Sequence, residues 1–273
     1  MSSTPKRPPA KPYTLDGLPP GLIFVSDIPF GFTMPDKVTM LGDAVLDQNL
    51  CSSNSSLPRP SVLATIADCV AGVPACEGMA PRLAVTLDIV VNIVAQPTTE
   101  LLIIEGSIIK KGRNVVASEV DFFDSQTKAL VARSYLTFMA SPRPQDVAPP
   151  VASSMRTTSS MPTPFPEHVG AHIVRPGVAQ IEHSSFVQQA AGTLQGGIIS
   201  LLGEMATESL AGAPVVDLDI RYLSAVRVGP GQAIATPLGP DLYRVEVRDL
   251  GSENRLAAVI TARVARSPLE NAE

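Results

Sequence analysis

The stretch from Ser141 to Pro166, SPRPQDVAPPVASSMRTTSSMPTPFP, constrains this chain most, because seven prolines and a Ser/Thr cluster disfavour both a helix and a strand ladder. A structureless piece of this length is improbable inside one compact domain, so it reads as a linker between two units. The expected division is a disordered or extended arm over residues 1–20, a first domain over 21–140, the linker over 141–166 and a second domain over 167–267.

The two flanks repeat one order of elements. In the first, Val62, Leu63, Ile66, Ala67 and Val70 stand at helical spacing in Ser61–Val73, with Pro74 expected to stop the helix. Strand-like runs follow at Leu83–Ala95, Leu101–Lys110, Asn114–Phe123 and Ala129–Ala140, separated by turn signals. The second flank has a strand candidate at Ala171–His183, a helix from Gly197 to about Leu210, and strands near Val215–Val226, Gln232–Leu238, Leu242–Leu250 and Leu256–Ala265. The same 136-residue offset separates Arg59 from Gln195 and Asp68 from Glu204, and Leu87-Asp88-Ile89 recurs as Leu218-Asp219-Ile220. A carboxylate at matching helix depth, followed by the same strand signature, marks a duplication. Each helix is apolar nearly all round and must be buried. One buried helix with antiparallel strands describes an α+β unit in which a sheet curls around its helix.

Composition narrows the function classes. Lys and Arg total 21 against 26 Asp and Glu, which leaves no cationic surplus for a nucleic-acid backbone. Three cysteines without paired CxxC spacing suit neither a disulfide scaffold nor a structural zinc site. His168, His172 and His183 lack metal-ligand spacing, so no metal is expected. No G-x-S-x-G elbow supports a serine hydrolase. The greasiest run, LAVTLDIVVNIVA, is broken by Asp88 and Asn92, and the basic N-terminal residues precede no apolar leader. A soluble, cytoplasmic protein without a membrane span is expected.

The segment QQAAGTLQGGIISLLGEMATES, with Gly196-Gly197 opening the helix, resembles the Asn…His-Gly-Gly…Asp/Glu signature of hotdog-fold thioesterases of the phenylacetate type. LAVTLDIVVN, KKGRN and ALVARSYLTFMA are similar to that family's later strands in order and spacing. The resemblance implies two tandem hotdog domains, an acyl-CoA thioesterase activity and sites built across the interface of paired units. The chain would then be its own pseudo-dimer, with further homo-oligomerisation open. No cofactor is expected beyond CoA, or a carrier protein, as part of the substrate.

On this resemblance one composite site joins Gln189, Gly196 and Gly197 of the second half with Asp68 and Thr86 of the first. Gly197, with Gly196, would polarise the thioester oxygen through backbone N–H. Asp68 would act as nucleophile or as general base, Gln189 would position substrate or water, and Thr86 would assist Asp68. The other composite site joins the Ser53-to-Ser61 stretch with Glu204 and Asp217, but Pro60 there has no N–H to donate. Pairing within one unit would instead group Glu204 with Gly196 and Gln189. The motif histidine is replaced by Arg59 in one half and Gln195 in the other. The turn Lys110-Lys111-Gly112-Arg113 offers charge for CoA phosphates, although such a hairpin tip is also an ordinary solvated turn. Two rivals stand beside hydrolysis: a hotdog hydratase or dehydratase, and a non-catalytic acyl-CoA or lipid-binding hotdog protein.

Overall fold

The structure is a computed structural model that describes residues 23–53, 55–143, 147–148, 153–157, 159–189 and 191–265; the arm expected over residues 1–20 lies outside them. In chain order the described strands are β1 (Phe30–Thr33), β2 (Thr39–Val45), β3 (Ala84–Ile93), β4 (Leu101–Lys111), β5 (Val115–Asp124), β6 (Leu130–Ala140), β7 (Ser154–Arg156), β8 (His172–Arg175), β9 (Val178–Ile181), β10 (Val215–Tyr222), β11 (Gly231–Pro237), β12 (Leu242–Asp249) and β13 (Arg255–Val264). The α-helices are α1 (Pro60–Met79), α2 (Phe165–Val169) and α3 (Gly196–Ala211).

All these strands form one antiparallel sheet in the order β7-β1-β2-β4-β5-β6-β3-β10-β13-β12-β11-β9-β8. The halves meet where β3 pairs with β10. Ile89 and Ile220, the matching third residues of the repeated triplets, face each other there, so a local two-fold axis passes between them. Each half wraps its sheet around one long helix. On α1, Val62, Leu63, Ala64, Ile66, Ala67 and Val70 are all fully buried, and α3 buries Ile198, Leu201, Leu202 and Ala206 in the same way. By length and composition α1 also passes as a membrane span, but most of its apolar window is inside the protein.

The architecture matches the expected pair of helix-wrapped sheets, with three local differences. Pro74 lies inside α1 and does not end it. A proline forfeits one backbone hydrogen bond and crowds the preceding turn, and here the buried packing of α1 outweighs that loss. The irregular start expected of the first unit contains β1 and β2. The proline-rich stretch also joins the sheet: β7 pairs with β1, Arg156 forms a bidentate ion pair with Asp43, and the Thr157 hydroxyl donates to the Ile28 carbonyl. Single residues between prolines retain their N–H groups, and three in a row suffice for a short ladder.

The helices cross closely at Gly197. A Cβ built there would lie 1.8 Å from Thr65 Oγ1, whose hydroxyl is tied to the Ser61 carbonyl of α1. Gly197→Ala is therefore expected to push the helices apart and cost about 1–3 kcal/mol by overpacking. Chemical denaturation measures this; a midpoint equal to wild type would mean the crossing is not tight.

Candidate active site

A cavity of about 560 Å³ opens between the halves. From α1 it is lined by Asp68, Cys69, Gly72, Val73 and Cys76, from β3 by Ala84, Val85, Thr86 and Leu87, and from β10 by Tyr222. The opposite wall carries Gln188, Gln189, Thr193, Leu194, Gln195, Gly196 and Ile199. The lining is predominantly apolar, with Asp68 its only carboxylate among the described residues.

Asp68 sits partly exposed in this wall. Its Oδ1 accepts from the Thr86 hydroxyl at 2.7 Å, and its Oδ2 lies 3.4 Å from Gln195 Nε2. Burial pushes its carboxyl up to about 6, and the Thr86 hydrogen bond opposes that shift only in part. A carboxylate in this range is ionised at neutral pH yet basic enough to take a proton from water.

Facing Asp68 is the start of α3. Gln195 caps it: its side-chain oxygen accepts from the Gly197 N–H, while its own carbonyl accepts from Ile198 and Ile199. The Gly197 amide is thus already satisfied, and Gly197 is buried and does not line the cavity. Gly196 does line it, and its N–H has no acceptor among the described residues. Of the two glycine amides expected at the site, that of Gly196 is therefore the one open to the cavity. Gln189 lies on the cavity rim, with Nε2 donating to Thr193 Oγ1 at 2.9 Å inside its own tight turn.

Sequence reading missed Tyr222. Its hydroxyl donates to the Gly196 carbonyl at 3.0 Å and lies 3.3 Å from Ser200 Oγ, whose hydroxyl donates to the same carbonyl. Burial first, and the charge of Asp68 second, push the Tyr222 phenol up, so it stays protonated. In the sequence Tyr222 is one more aromatic in a strand, with nothing to single it out.

The repeat-related place is filled. Glu204 does not line the cavity; its Oε2 accepts the Ser61 N–H at 2.9 Å and its Oε1 accepts from Arg59 Nη1. Arg59 also reaches Glu208 Oε2 at 3.2 Å, and Asn92 donates to Asp217 nearby on the sheet. Arg59 is 3% and Glu204 0% exposed, which leaves no room for substrate. The 136-residue offset explains the contrast: Gly72, on the open wall, corresponds to Glu208, and Gln195 corresponds to Arg59. A glycine and an amide leave space where a second acid and a guanidinium close it.

Lys110, Lys111 and Arg113 stand exposed at the β4–β5 hairpin, outside the cavity lining. Lys111 lies along the last turn of α1 beside Gly78, where a cation meets the helix C-terminus. The cations on the cavity wall are Arg143 and Arg227. Asp249 holds the Arg227 segment in place by accepting from the backbone N–H groups of Arg227, Val228 and Gly229.

No protein-family model matches the chain, and no curated protein matches its sequence. Solved structures do match its shape. A 12:0-ACP thioesterase from Umbellularia californica superposes with a TM-score of 0.62 at 9% identity, covering 84% of this chain and 98% of that one. An acyl-ACP thioesterase from Bacteroides thetaiotaomicron gives 0.59 at 10% identity over 83% and 98%. A protein of Alicyclobacillus acidocaldarius described as having a hot dog fold gives 0.52 at 15% identity over 87% and 96%. At such identities the likeness shows the fold: a double hotdog in a single chain.

Proposed function

We propose that this double-hotdog chain hydrolyses acyl thioesters of CoA or of an acyl-carrier protein in the cavity beside Asp68. The observation that carries this reading is the meeting, in one apolar cavity, of a carboxylate from the first repeat with the amide-bearing helix start of the second. Two of the structurally similar proteins are described as acyl-ACP thioesterases, which supports the same chemistry.

The cavity walls offer Val85, Phe138, Met139, Met155 and Ile199 to an acyl chain. With the thioester carbonyl at the Gly196 amide, Asp68 takes a proton from water as the water oxygen forms a bond to the carbonyl carbon. The carbonyl π pair moves onto oxygen. When it returns, the C–S bond breaks, sulfur leaves with the bonding pair and takes from Asp68 the proton that came from water, and the products are an acid and a thiol. Direct attack by Asp68 would instead pass through an acyl–Asp68 anhydride, and label from heavy-oxygen water would enter the Asp68 carboxyl when water opens that anhydride at the Asp68 carbon.

Thiol release from a panel of acyl-CoAs tests the proposal: wild type is expected to liberate thiol and Asp68→Asn is not. Absence of release from every acyl thioester, or equal release by both proteins, would overturn it. The rival reading, a non-catalytic acyl-thioester binder, is favoured by Gln195 standing where the resembled signature has histidine, and it would show binding without turnover. A hydratase has less support, since no histidine lines the cavity among the described residues.

The placement of Arg227 and Arg143 on the cavity wall carries a further expectation. Charge-assisted contacts to a phosphate are partly screened at an exposed site. Arg227→Ala is expected to raise KM for a CoA thioester about five- to twentyfold and to leave an N-acetylcysteamine thioester, which has no phosphate, unchanged. Equal effects on both substrates would remove Arg227 from carrier binding.

A further inference from the structure

We propose that the Gln195 side chain is a catalytic residue, its Nε2–H forming with the Gly196 backbone N–H a two-donor site for the thioester oxygen. This rests on the thioesterase reading above and names the second donor that reading lacks.

The argument begins with the orientation of the amide. An Asn or Gln side chain has an oxygen that only accepts and a nitrogen that only donates, and its neighbours decide which way it faces. Gln195 lies between a backbone donor, the Gly197 N–H, and an acidic acceptor, Asp68 Oδ2. The first requires Oε1 and the second requires Nε2, so both ends agree on one orientation. Gln195 is 7% exposed and its oxygen is engaged, so the amide plane does not rotate freely.

The nitrogen therefore faces the cavity side of the helix start, where Gln195 and Gly196 both line the wall. One Nε2 hydrogen is directed at Asp68 across a long 3.4 Å contact. The other is available to a ligand.

The Gly196 N–H is held as firmly. It belongs to the peptide whose carbonyl, that of Gln195, accepts from Ile198 at 3.0 Å and Ile199 at 3.3 Å. The next carbonyl, that of Gly196, is held by the Ser200 and Tyr222 hydroxyls. Two donors whose directions are set before substrate arrives act on developing charge without reorganising. As the nucleophile's electron pair forms the new C–O bond, the carbonyl π pair moves onto an oxygen between these donors; the pair returns as the C–S bond breaks and sulfur leaves with its bonding electrons.

The repeat-related helix supports the assignment by contrast. There Pro60 has no N–H, the Ser61 N–H is taken by Glu204, and the Gln195 equivalent is the ion-paired Arg59. Only the α3 start, among the described residues, combines a free backbone amide with a locked side-chain amide.

Two variants separate donation from capping. Gln195→Ala removes both functions, whereas Gln195→Ser keeps a short N-cap oxygen for the Gly197 N–H and has no N–H to offer. Both are expected to lower kcat about 10²–10³-fold, the usual cost of one oxyanion donor, with KM changed by less than about threefold. Gln195→Ser is expected to lose less melting temperature than Gln195→Ala. Wild-type-like turnover in Gln195→Ser would reduce Gln195 to a helix cap and overturn the proposal, as would wild-type turnover in Gln195→Ala.

A binding measurement stands apart from turnover. S-(2-oxododecyl)-CoA presents a carbonyl where a thioester would, and S-dodecyl-CoA lacks it. Gln195→Ala and Gln195→Ser are expected to weaken the ketone about tenfold, roughly one hydrogen bond, and to leave the thioether unchanged. Equal effects on both probes would overturn the donor assignment. A wild-type protein that binds the ketone through Gln195 but releases no thiol would instead refute the thioesterase reading alone.

Discussion

Asp68→Asn is expected to abolish most thioester hydrolysis and at the same time to raise the melting temperature at neutral pH. The loss follows from removing the one carboxylate that lines the cavity among the described residues, and general-base contributions run to about 10²–10⁴ in rate. The gain follows from the cause of its shifted titration. Burial makes the folded state hold the Asp68 proton up to about 6, against the ordinary 3.8, so the folded protein binds that proton more tightly than the unfolded chain does. Stability contributed by the protonated form is fully present below about 4 and declines as pH rises through about 6. Above that, ionised Asp68 is a standing cost of about 1–3 kcal/mol, which an uncharged amide does not incur. Wild-type kcat/KM is correspondingly expected to rise with pH through about 6 as the base ionises. Thermal melts and rate profiles from pH 4 to 8 check both statements. A variant both inactive and less stable at pH 7 would show that the Asp68 charge is favourably solvated in the cavity.

Arg59→Ala is expected to destabilise the protein by about 3–5 kcal/mol, since it leaves the buried Glu204 carboxylate beside Glu208 with no cation. Burial, and next the charge of Glu204, already push Glu208 up to about 7 even with Arg59 present. Adding Glu204→Met, which removes the stranded charge, is expected to recover at least half of the loss, as measured by urea denaturation. Glu204→Gln alone should keep thioester hydrolysis within about threefold of wild type, because Glu204 serves the closed interface. Loss of turnover comparable to that of Asp68→Asn would move the working site to the Glu204 side.

Much of this architecture is legible in the residues themselves. Helical spacing in Ser61–Val73 and alternation in the strand runs locate α1, α3 and most of the sheet, because burial on one face or all round imposes a period on the chain. Pro74 misleads because local propensity is a weak force beside the packing of a core helix. Strands β1, β2 and β7 escape notice because they are short and irregular in pattern, and their place is decided by partners distant in sequence. The carboxylates Asp68 and Glu204 are equally conspicuous in the sequence, and the offset between the repeats singles out both.

Which acid faces open space is a different kind of question. The chain by itself determined two related units, each with one helix that cannot be left in water and one acid at the same depth; their pairing was implied only by the family resemblance. Tertiary structure alone decided that Gly72 and Gln195 meet around a cavity while Glu208 and Arg59 meet in a closed ion pair. The reason is that charge pairing and free volume depend on distances between the units, and a periodicity along one chain carries no such distances.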